Sequence, residues 1–166
     1  MRWENPAVAD HYKKPDPFTR YVFNPLVAGL TRLGVGVYGS RVLEVRGRKS
    51  GQWRSTPVNL LSHDGGEYLV APRGHTQWVR NVRAGGAARL RLGRRVRDVR
   101  LTELGDDAKL GLLRAYLKKW AWETGQFFEG VKADSPEEDV RRIAPNHPVF
   151  QVQDPVTAAA ASAEQP

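Results

Sequence analysis

The chain has 166 residues, of which 40% are hydrophobic and 27% charged, and it is long enough for one domain with a proper core. It contains no cysteine, which excludes structural disulfides, thiolate metal sites and cysteine catalysis. The net charge is +8, and residues 41–100 carry 14 Lys and Arg against 4 Asp and Glu, so this part should attract an anion: nucleic acid, phospholipid or a phosphorylated small molecule.

The N-terminal part lacks the apolar core of a signal peptide, and we expect a cytoplasmic protein. The most apolar early run, residues 21–40, contains Pro25, Arg32 and four glycines, which interrupt it too often for a membrane span. We predict an extended segment over residues 1–17 and then a helix over residues 18–33 that lies on the rest of the fold. Peripheral contact of this helix with a membrane surface is the alternative.

Three segments with the pattern of β-strands follow the N-terminal helix. Residues 41–47 alternate apolar and charged side chains, which is typical of a half-buried strand. Residues 55–63 and 67–72 are two further apolar runs. The Asp-Gly-Gly sequence at 64–66 lies between them and predicts a hairpin turn, because glycine readily adopts positive φ.

The connection between the first two predicted strands is rich in cations, glycines and hydroxyls. Arg48, Lys49 and Arg54 supply charge, Ser50 supplies a hydroxyl, and Gly51 lets the backbone bend towards a ligand. Cations, hydroxyls and exposed amides together form a cradle for phosphate or carboxylate groups. A solvated basic loop explains the same residues equally well.

A second cluster follows the third strand. Arg73 and Gly74 precede Thr76, which we predict as the N-cap of a helix that ends near residues 85–86. A helix N-terminus beside an arginine favours anions. Trp78 and Asn81 lie about one turn apart on this helix. Core packing alone would explain Trp78 better than ligand binding does.

Residues 87–93 and 96–104 alternate strictly and predict two more strands, with Arg94 and Arg95 at their turn. From residue 106 the apolar period becomes helical, and Trp120 shares one stripe with the preceding leucines. The aromatic run that follows has more rings than one buried stripe needs. Some of these rings could form the wall of an apolar pocket, although packing of the helix on the strands accounts equally well for Trp120.

The last part of the chain predicts a short helix, a strand and a tail. Ser135 is the predicted N-cap of the helix, in a capping box with Glu138. Residues 147–153 are the candidate final strand, and residues 155–166 are expected to be disordered. The order of elements, joined by short turns, favours a mainly β (α+β) domain over residues 1–154: an antiparallel barrel with an N-terminal helix and C-terminal helices.

The sequence offers no acid–base or nucleophilic constellation. The four histidines lack metal-ligand spacing, and neither a nucleophile elbow nor a phosphate-binding glycine motif is present. An enzyme of this composition would need a cofactor to perform its chemistry.

Three stretches in order, "GRKSGQWRSTPVNLL", "DGGEYLVAPRG" and "QWVRNVRAGG", resemble the deazaflavin (F420)-dependent nitroreductase family. The resemblance covers residues 42–104, with a weaker helical C-terminal part. It implies a split β-barrel related to flavin-dependent barrels, and an F420H2-dependent oxidoreductase. The reaction would be hydride transfer from the reduced deazaflavin to a hydrophobic acceptor: a quinone, an enone or a nitro compound. Because F420 is strongly anionic, the basic middle of the chain fits this cofactor.

The resemblance also implies which residues contact cofactor and acceptor. The phosphate and polyglutamate tail of F420 would be bound by Arg48, Lys49, Ser50, Gly51 and Arg54. The residues along the cofactor and around its ring would be Thr56, Pro57, Val58, Val70, Ala71, Pro72, Arg73 and Gly74. The groove would be closed by Trp78, Val79, Arg80 and Asn81. The acceptor would be bound by Tyr116, Trp120, Trp122, Phe127 and Phe128.

The sequence departs from the family in two places. Pro72 and Arg73 replace the family's usual strand ending, and tryptophan and phenylalanine stand where its best-known nitroreductases have tyrosines. The second difference favours an apolar acceptor, such as a quinone or a lipid-like enone, over nitroimidazoles.

Two alternatives and the oligomeric state stay open. The same barrel could use FMN, which would need less basic charge, or the protein could be a non-enzymatic module that binds an anionic ligand or lipid. Nucleic acid is disfavoured because residues 87–104 have arginines without interleaved aromatics. The sequence is compatible with a monomer or a homodimer.

Overall fold

The computed structural model describes residues 39–155. The predicted N-terminal segment and helix, and almost all of the predicted tail, lie outside these residues. The six strands of the described part are β1 (Ser40–Arg46), β2 (Trp53–His63), β3 (Gly66–Val70), β4 (Ala88–Leu92), β5 (Arg95–Glu103) and β6 (Val149–Gln153). Its α-helices are α1 (Gln77–Arg83), α2 (Leu110–Thr124) and α3 (Glu137–Ile143).

The strands close into a barrel in the order β1-β2-β3-β6-β5-β4, and every neighbouring pair is antiparallel. The predicted hairpin between β2 and β3 turns at Asp64 and Gly65, which have φ of 46° and 77°. Strand β6 returns from the C-terminal helices and inserts between β3 and β5. The prediction of a mainly β split barrel with antiparallel strands is therefore confirmed.

Two apolar cores result from the alternation of the strands. Leu43, Leu69 and Leu90 belong to the group that fills the barrel, where inward-facing residues of neighbouring strands meet. The second core lies between the barrel and the C-terminal helices and contains Trp120 and Phe128, both fully buried. Burial of each such side chain stabilises the fold by roughly 1.5–3 kcal/mol, so α2 is fixed firmly to the barrel.

The predicted capping box at Ser135 is wrong. Helix α3 begins at Glu137, its N-cap is Pro136 in an extended conformation, and no side chain caps it. The Ser135 hydroxyl instead accepts a hydrogen bond from the Lys132 amide at 2.8 Å, because serine readily closes a local turn with nearby backbone. At α1, Thr76 is the N-cap residue as predicted, but its side chain makes no capping hydrogen bond.

A charged cluster joins β4 to β1 and β2 on the outside of the barrel. Glu44 is 8% exposed and accepts hydrogen bonds from Arg89 and, at 3.1 Å, from Arg91. The Arg89 guanidinium also lies 3.9 Å from the ring centroid of Trp53, whose ring contacts Arg46 as well. A carboxylate buried to this degree is stable only when it is paired and hydrogen-bonded, and the two arginines meet that need.

The Glu44 pairing predicts a pH-dependent contribution to stability. Burial raises the pKa of Glu44, but the hydrogen bonds and charges of Arg89 and Arg91 outweigh this and lower it below 4.5. A lowered pKa contributes stability above the unfolded value, and this contribution is lost as the pH falls through the folded one. We expect Glu44→Gln to reduce the free energy of unfolding by about 1–3 kcal/mol near neutral pH, with a smaller loss in acid.

Urea denaturation of parent and variant at neutral and acidic pH measures this difference. Glu67→Gln is the matched control, because Glu67 forms its ion pair with Arg97 at an exposed position. Such surface pairs contribute roughly 0–1 kcal/mol. A Glu44→Gln loss that is the same at both pH values would contradict the ionic explanation.

Candidate functional site

A cleft of about 930 Å³ lies beside the barrel, within the size range of small-molecule sites. Within residues 39–155 its lining comes from Ser40, the turn between β1 and β2, strand β2, the end of β3 with the connection into α1 and α1 itself, and the later part of α2 with the residues after it. These parts are far apart in sequence, and closure of the barrel brings them together.

The turn between β1 and β2 has a backbone that requires glycine. The Gly47 amide donates to the Gln52 carbonyl and the Gly51 amide to the Gly47 carbonyl, both at 2.8 Å. Gly51 has a φ of 67°, and a Cβ on Gly47 would lie 2.8 Å from the Ser50 hydroxyl oxygen. The two glycines therefore allow the tight turn that presents the cations between them.

Helix α1 holds Arg48 in place. Arg48 Nη1 donates to Gln77 Oε1 and to Asn81 Oδ1, each at 2.9 Å, and the Arg48 amide donates to Asn81 Oδ1 at 3.2 Å. Asn81 is 4% exposed, so its oxygen is a fixed acceptor. A Cβ on Gly86 would lie 2.7 Å from the Arg46 carbonyl oxygen, and glycine there allows the end of α1 to approach β1. The guanidinium is thus oriented before any ligand binds.

The cations at this end of the cleft are available to an anion. Within residues 39–155, no carboxylate forms an ion pair with Arg48, Lys49 or Arg54. The hydroxyls of Ser50, Ser55 and Thr56 line the same region. We call this region, formed by residues 48–50 and 54–56, the basic end. Its donors suit phosphate and carboxylate groups.

The middle of the cleft is apolar. Pro57 and Val58 of β2 line it together with Val70 and Ala71 at the end of β3. Trp78 lines it as well, and its ring packs against Phe150 at a centroid distance of 5.3 Å. A planar ring system would find apolar contact here.

The other end of the cleft combines aromatic rings, of which Trp122 is exposed and Phe127 and Tyr116 are buried, with polar groups. Trp122 is 68% exposed, and Phe127 lies beneath the Arg73 guanidinium at 4.7 Å. The Tyr116 hydroxyl lies near Asn59 and Thr124. Burial and the nearby Glu123 charge raise the pKa of Tyr116 above its ordinary value of 10.0, so the phenol is neutral at physiological pH. We call this region, formed by Asn59, Tyr116, residues 122–124, Gln126 and Phe127, the aromatic end.

Most of the residues that the resemblance implies for F420 meet at this cleft. Those that line it are Arg48, Lys49, Ser50, Arg54, Thr56, Pro57, Val58, Val70, Ala71, Pro72, Arg73, Trp78 and Asn81. Those that do not line it are Gly51, Gly74, Val79 and Arg80. Gly51 and Gly74 have positive φ and shape the turns, whereas Val79 is fully buried beside Ala71 and Phe150.

The predicted acceptor residues divide into two groups. Tyr116, Trp122 and Phe127 line the cleft. Trp120 and Phe128 do not line it, because both are fully buried in the core beneath α2. The Trp120 ring lies 4.9 Å from that of Tyr116, and Phe128 stacks on His147 at 4.3 Å. From the core, they support the side chains that line the cleft.

Sequence reasoning missed several polar residues of the cleft. They are Ser40, Asn59, Gln77, Glu123, Thr124 and Gln126. Asn59 had a detectable signal, since it interrupts the apolar run "PVNLL" within a predicted strand. Glu123 had none, because a glutamate near the end of a helix looks like any solvent-facing residue.

The barrel and its ligand-sized cleft, lined by cations, apolar side chains and aromatic rings, define a split barrel that is suited to an anionic, partly aromatic small molecule. Within this class, the chain belongs to the F420H(2)-dependent quinone reductase family, whose sequence profile matches residues 29–127. The resemblance noted in the sequence is thereby confirmed. Membership makes coenzyme F420 the cofactor and the protein an F420H2-dependent reductase.

Three solved structures illustrate what this chain is similar to at low sequence identity. One is an F420-H2 dependent reductase (FDR-A): 20% identical, covering 69% of this chain and 94% of that one, TM-score 0.48. Another, described as a domain-swapped dimer, is 19% identical. The match covers 81% of this chain and 98% of that one, with a TM-score of 0.50. The conserved hypothetical protein Rv2991 from Mycobacterium tuberculosis is 15% identical and covers 89% and 84%, TM-score 0.47. None of the curated proteins compared with this chain matches it.

Two further findings concern the described residues alone. No three His, Asp or Glu side chains in residues 39–155 are grouped so that they could hold a metal ion. None of the helices in this range combines the length and the apolar character needed to cross a bilayer.

Proposed function

We propose that the cleft binds F420 with its tail at the basic end, and that the acceptor is a planar, largely apolar quinone or enone bound at the aromatic end. The observation that carries this proposal is that one cleft is lined by a basic end, an apolar middle and an aromatic end. When bound, the reduced deazaflavin supplies a hydride from its C5 carbon. The protein binds and orients the cofactor and the acceptor, and it excludes water from them.

The basic end would hold the phosphate and the carboxylates of the tail. Arg48 is already oriented by Gln77 and Asn81, so little side-chain entropy is lost when it binds an anion. Lys49 and Arg54 add charge without an ion pair to break within residues 39–155. The exposed setting of this end makes its attraction sensitive to salt.

The middle would orient the ring. Val58, Ala71 and Trp78 offer apolar surface on which a planar ring system stacks and from which water is displaced. Since the two ends of the cleft are fixed to the same barrel, the ring and an acceptor at the aromatic end would be held in contact. Positioning of this kind is a large part of catalysis when a cofactor supplies the reactive group.

The acceptor would pack on Trp122 and Phe127. A ring that is 68% exposed at the mouth of a cleft gains apolar contact when a planar ligand covers it. The Arg73 guanidinium covers one face of Phe127 and leaves the phenylalanine fixed in position.

The test is a fluorescence titration with F420 and separately with FMN, followed by oxidation of F420H2 with a naphthoquinone and with a nitro compound. We expect salt-sensitive binding of F420 that exceeds binding of FMN, and faster turnover of the quinone. We expect Trp122→Ala to raise the KM for the quinone roughly 3- to 10-fold and to leave F420 affinity unchanged. Preference for FMN would contradict the assignment of F420 to the cleft. Faster turnover of the nitro compound would contradict the assignment of a quinone or enone as acceptor.

A further inference from the structure

Among residues 39–155, Glu123 is the only carboxylate that lines the cleft. It lies at the aromatic end, where Asn59 Nδ2 donates to Glu123 Oε2 at 3.3 Å. Tyr116 lines the same end of the cleft, so the three side chains place polar groups together beside Trp122 and Phe127. We call Asn59, Tyr116 and Glu123 the polar triad.

The position of Glu123 is unfavourable for the stability of α2. It lies in the last turn of the helix, beyond a kink at Trp120 (φ −128°, ψ 17°), and the carbonyl groups at this helix end oppose a carboxylate. No basic residue occupies that turn, and within residues 39–155 Glu123 forms no ion pair. None of the cations that line the cleft in this range is therefore paired with it. A residue that costs helix stability and lines a ligand-sized cleft calls for an explanation in ligand binding.

Glu123 retains unused capacity as a hydrogen bond acceptor. An ionised carboxylate accepts about four hydrogen bonds, and in the described part of the chain one donor, Asn59, reaches it. A partner that satisfies the remaining capacity has to bring an O–H or an N–H group. The neutral Tyr116 phenol and the Asn59 amide are the groups beside it, and both are suited to an uncharged oxygen such as a carbonyl.

We infer that the polar triad selects acceptors that carry a hydrogen bond donor on the ring, an amino or hydroxyl group next to the reducible carbonyl. This inference rests on the proposed function and specifies its acceptor. The donor binds the Glu123 carboxylate, and the ring lies against Trp122 and Phe127. Glu123 acts as a specificity-determining residue, and the redox chemistry is that of the reductase. A simple alkyl quinone would fill the same space but leave the carboxylate without its partner, which is the costly outcome for a partly buried charge.

The experiment compares an amino-substituted naphthoquinone with its dimethylamino analogue, which has the same ring but no N–H donor. Binding of each compound to the protein without F420 is measured by calorimetry, and the KM of each is measured with F420H2. We expect the parent protein to bind the amino compound about tenfold more tightly, because hydrogen bonds to charged groups contribute on the order of 1.5–3 kcal/mol.

Two variants of Glu123 and one control complete the test. Glu123→Ala should abolish the preference for the amino compound, and Glu123→Gln, which keeps an amide oxygen, should leave an intermediate preference. Both should melt at the parent temperature or above it, since the charge opposes the helix dipole. Glu138→Ala, an exposed carboxylate in the first turn of α3, is the matched control and should keep the full preference.

The outcomes separate this inference from the proposed function. Equal binding of the two quinones by the parent protein, a preference that survives Glu123→Ala, or no binding of either compound would overturn the inference. If the preference depends on Glu123 in calorimetry but F420H2 is not oxidised, the proposed reaction fails while the recognition stands. If F420H2 is oxidised equally by both compounds with equal KM, the proposed reaction stands and the recognition fails.

Discussion

Replacing Arg48 and Lys49 together by alanine is expected to weaken F420 binding about 100-fold or more, because each charge-assisted hydrogen bond to an anion contributes roughly 1.5–3 kcal/mol. Both residues lie in the turn at the basic end, and neither forms an ion pair with a carboxylate in residues 39–155. Fluorescence titration at low and moderate salt measures the loss, which should be largest at low salt.

The single variants separate charge from positioning. Arg48→Ala removes the side-chain bonds to Gln77 and Asn81 as well as the charge, and it leaves the buried Asn81 oxygen with the backbone amide of residue 48 but without its side-chain donor. It should therefore lower both F420 affinity and the free energy of unfolding, the latter by about 1 kcal/mol. Lys49 is exposed, and Lys49→Ala should lower affinity with little effect on stability.

Arg94→Ala combined with Arg95→Ala is the matched control. These residues lie at the turn between β4 and β5, outside the cleft lining, and their loss changes the net charge by the same amount. The control should shift F420 affinity only slightly, through the long-range field. Equal losses in the two double variants would show that total charge, and not the turn between β1 and β2, determines binding.

The strands could be predicted from sequence because their local patterns agree with the final fold. Residues 41–46 alternate, the turn at Asp64 and Gly65 has the residues its φ values require, and short connections leave antiparallel pairing as the simplest outcome. The predicted cap at Ser135 was wrong for a local reason: the serine hydroxyl can either cap the following helix or bond to a backbone amide three residues before it. The serine hydroxyl bonds to the Lys132 amide and does not cap the helix.

The cleft could be predicted only in part. The helical period already placed Trp120 on the stripe that packs against the barrel, and Trp122, two positions further, lies on a different face. A kink at Trp120 disturbs that phase and a short 3-10 turn follows Thr124, so periodicity could not decide between Phe127 and Phe128. The contact of Asn59 with Glu123 joins residues far apart in sequence and depends on how α2 lies on the closed barrel.

The two tryptophans of α2 are expected to respond oppositely to replacement by alanine. Trp120 is fully buried against Tyr116, and Trp120→Ala should reduce the free energy of unfolding by about 3–5 kcal/mol through the cavity that it leaves. Trp122 is 68% exposed, and Trp122→Ala should change stability by roughly 0.5 kcal/mol or less. Urea denaturation followed by circular dichroism measures both values.

The KM for the quinone should change in the reverse order, because one ring lines the cleft and the other lies in the core behind it. Trp122 lines the cleft and would contact the acceptor, whereas Trp120 reaches it only through Tyr116. Trp120→Phe keeps an aromatic ring in the core and allows kinetics to be measured if Trp120→Ala fails to fold. Its KM for the quinone should stay within about twofold of the parent value, below the change expected for Trp122→Ala. A stability loss at Trp122 as large as that at Trp120 would assign Trp122 to packing and remove it from the acceptor site.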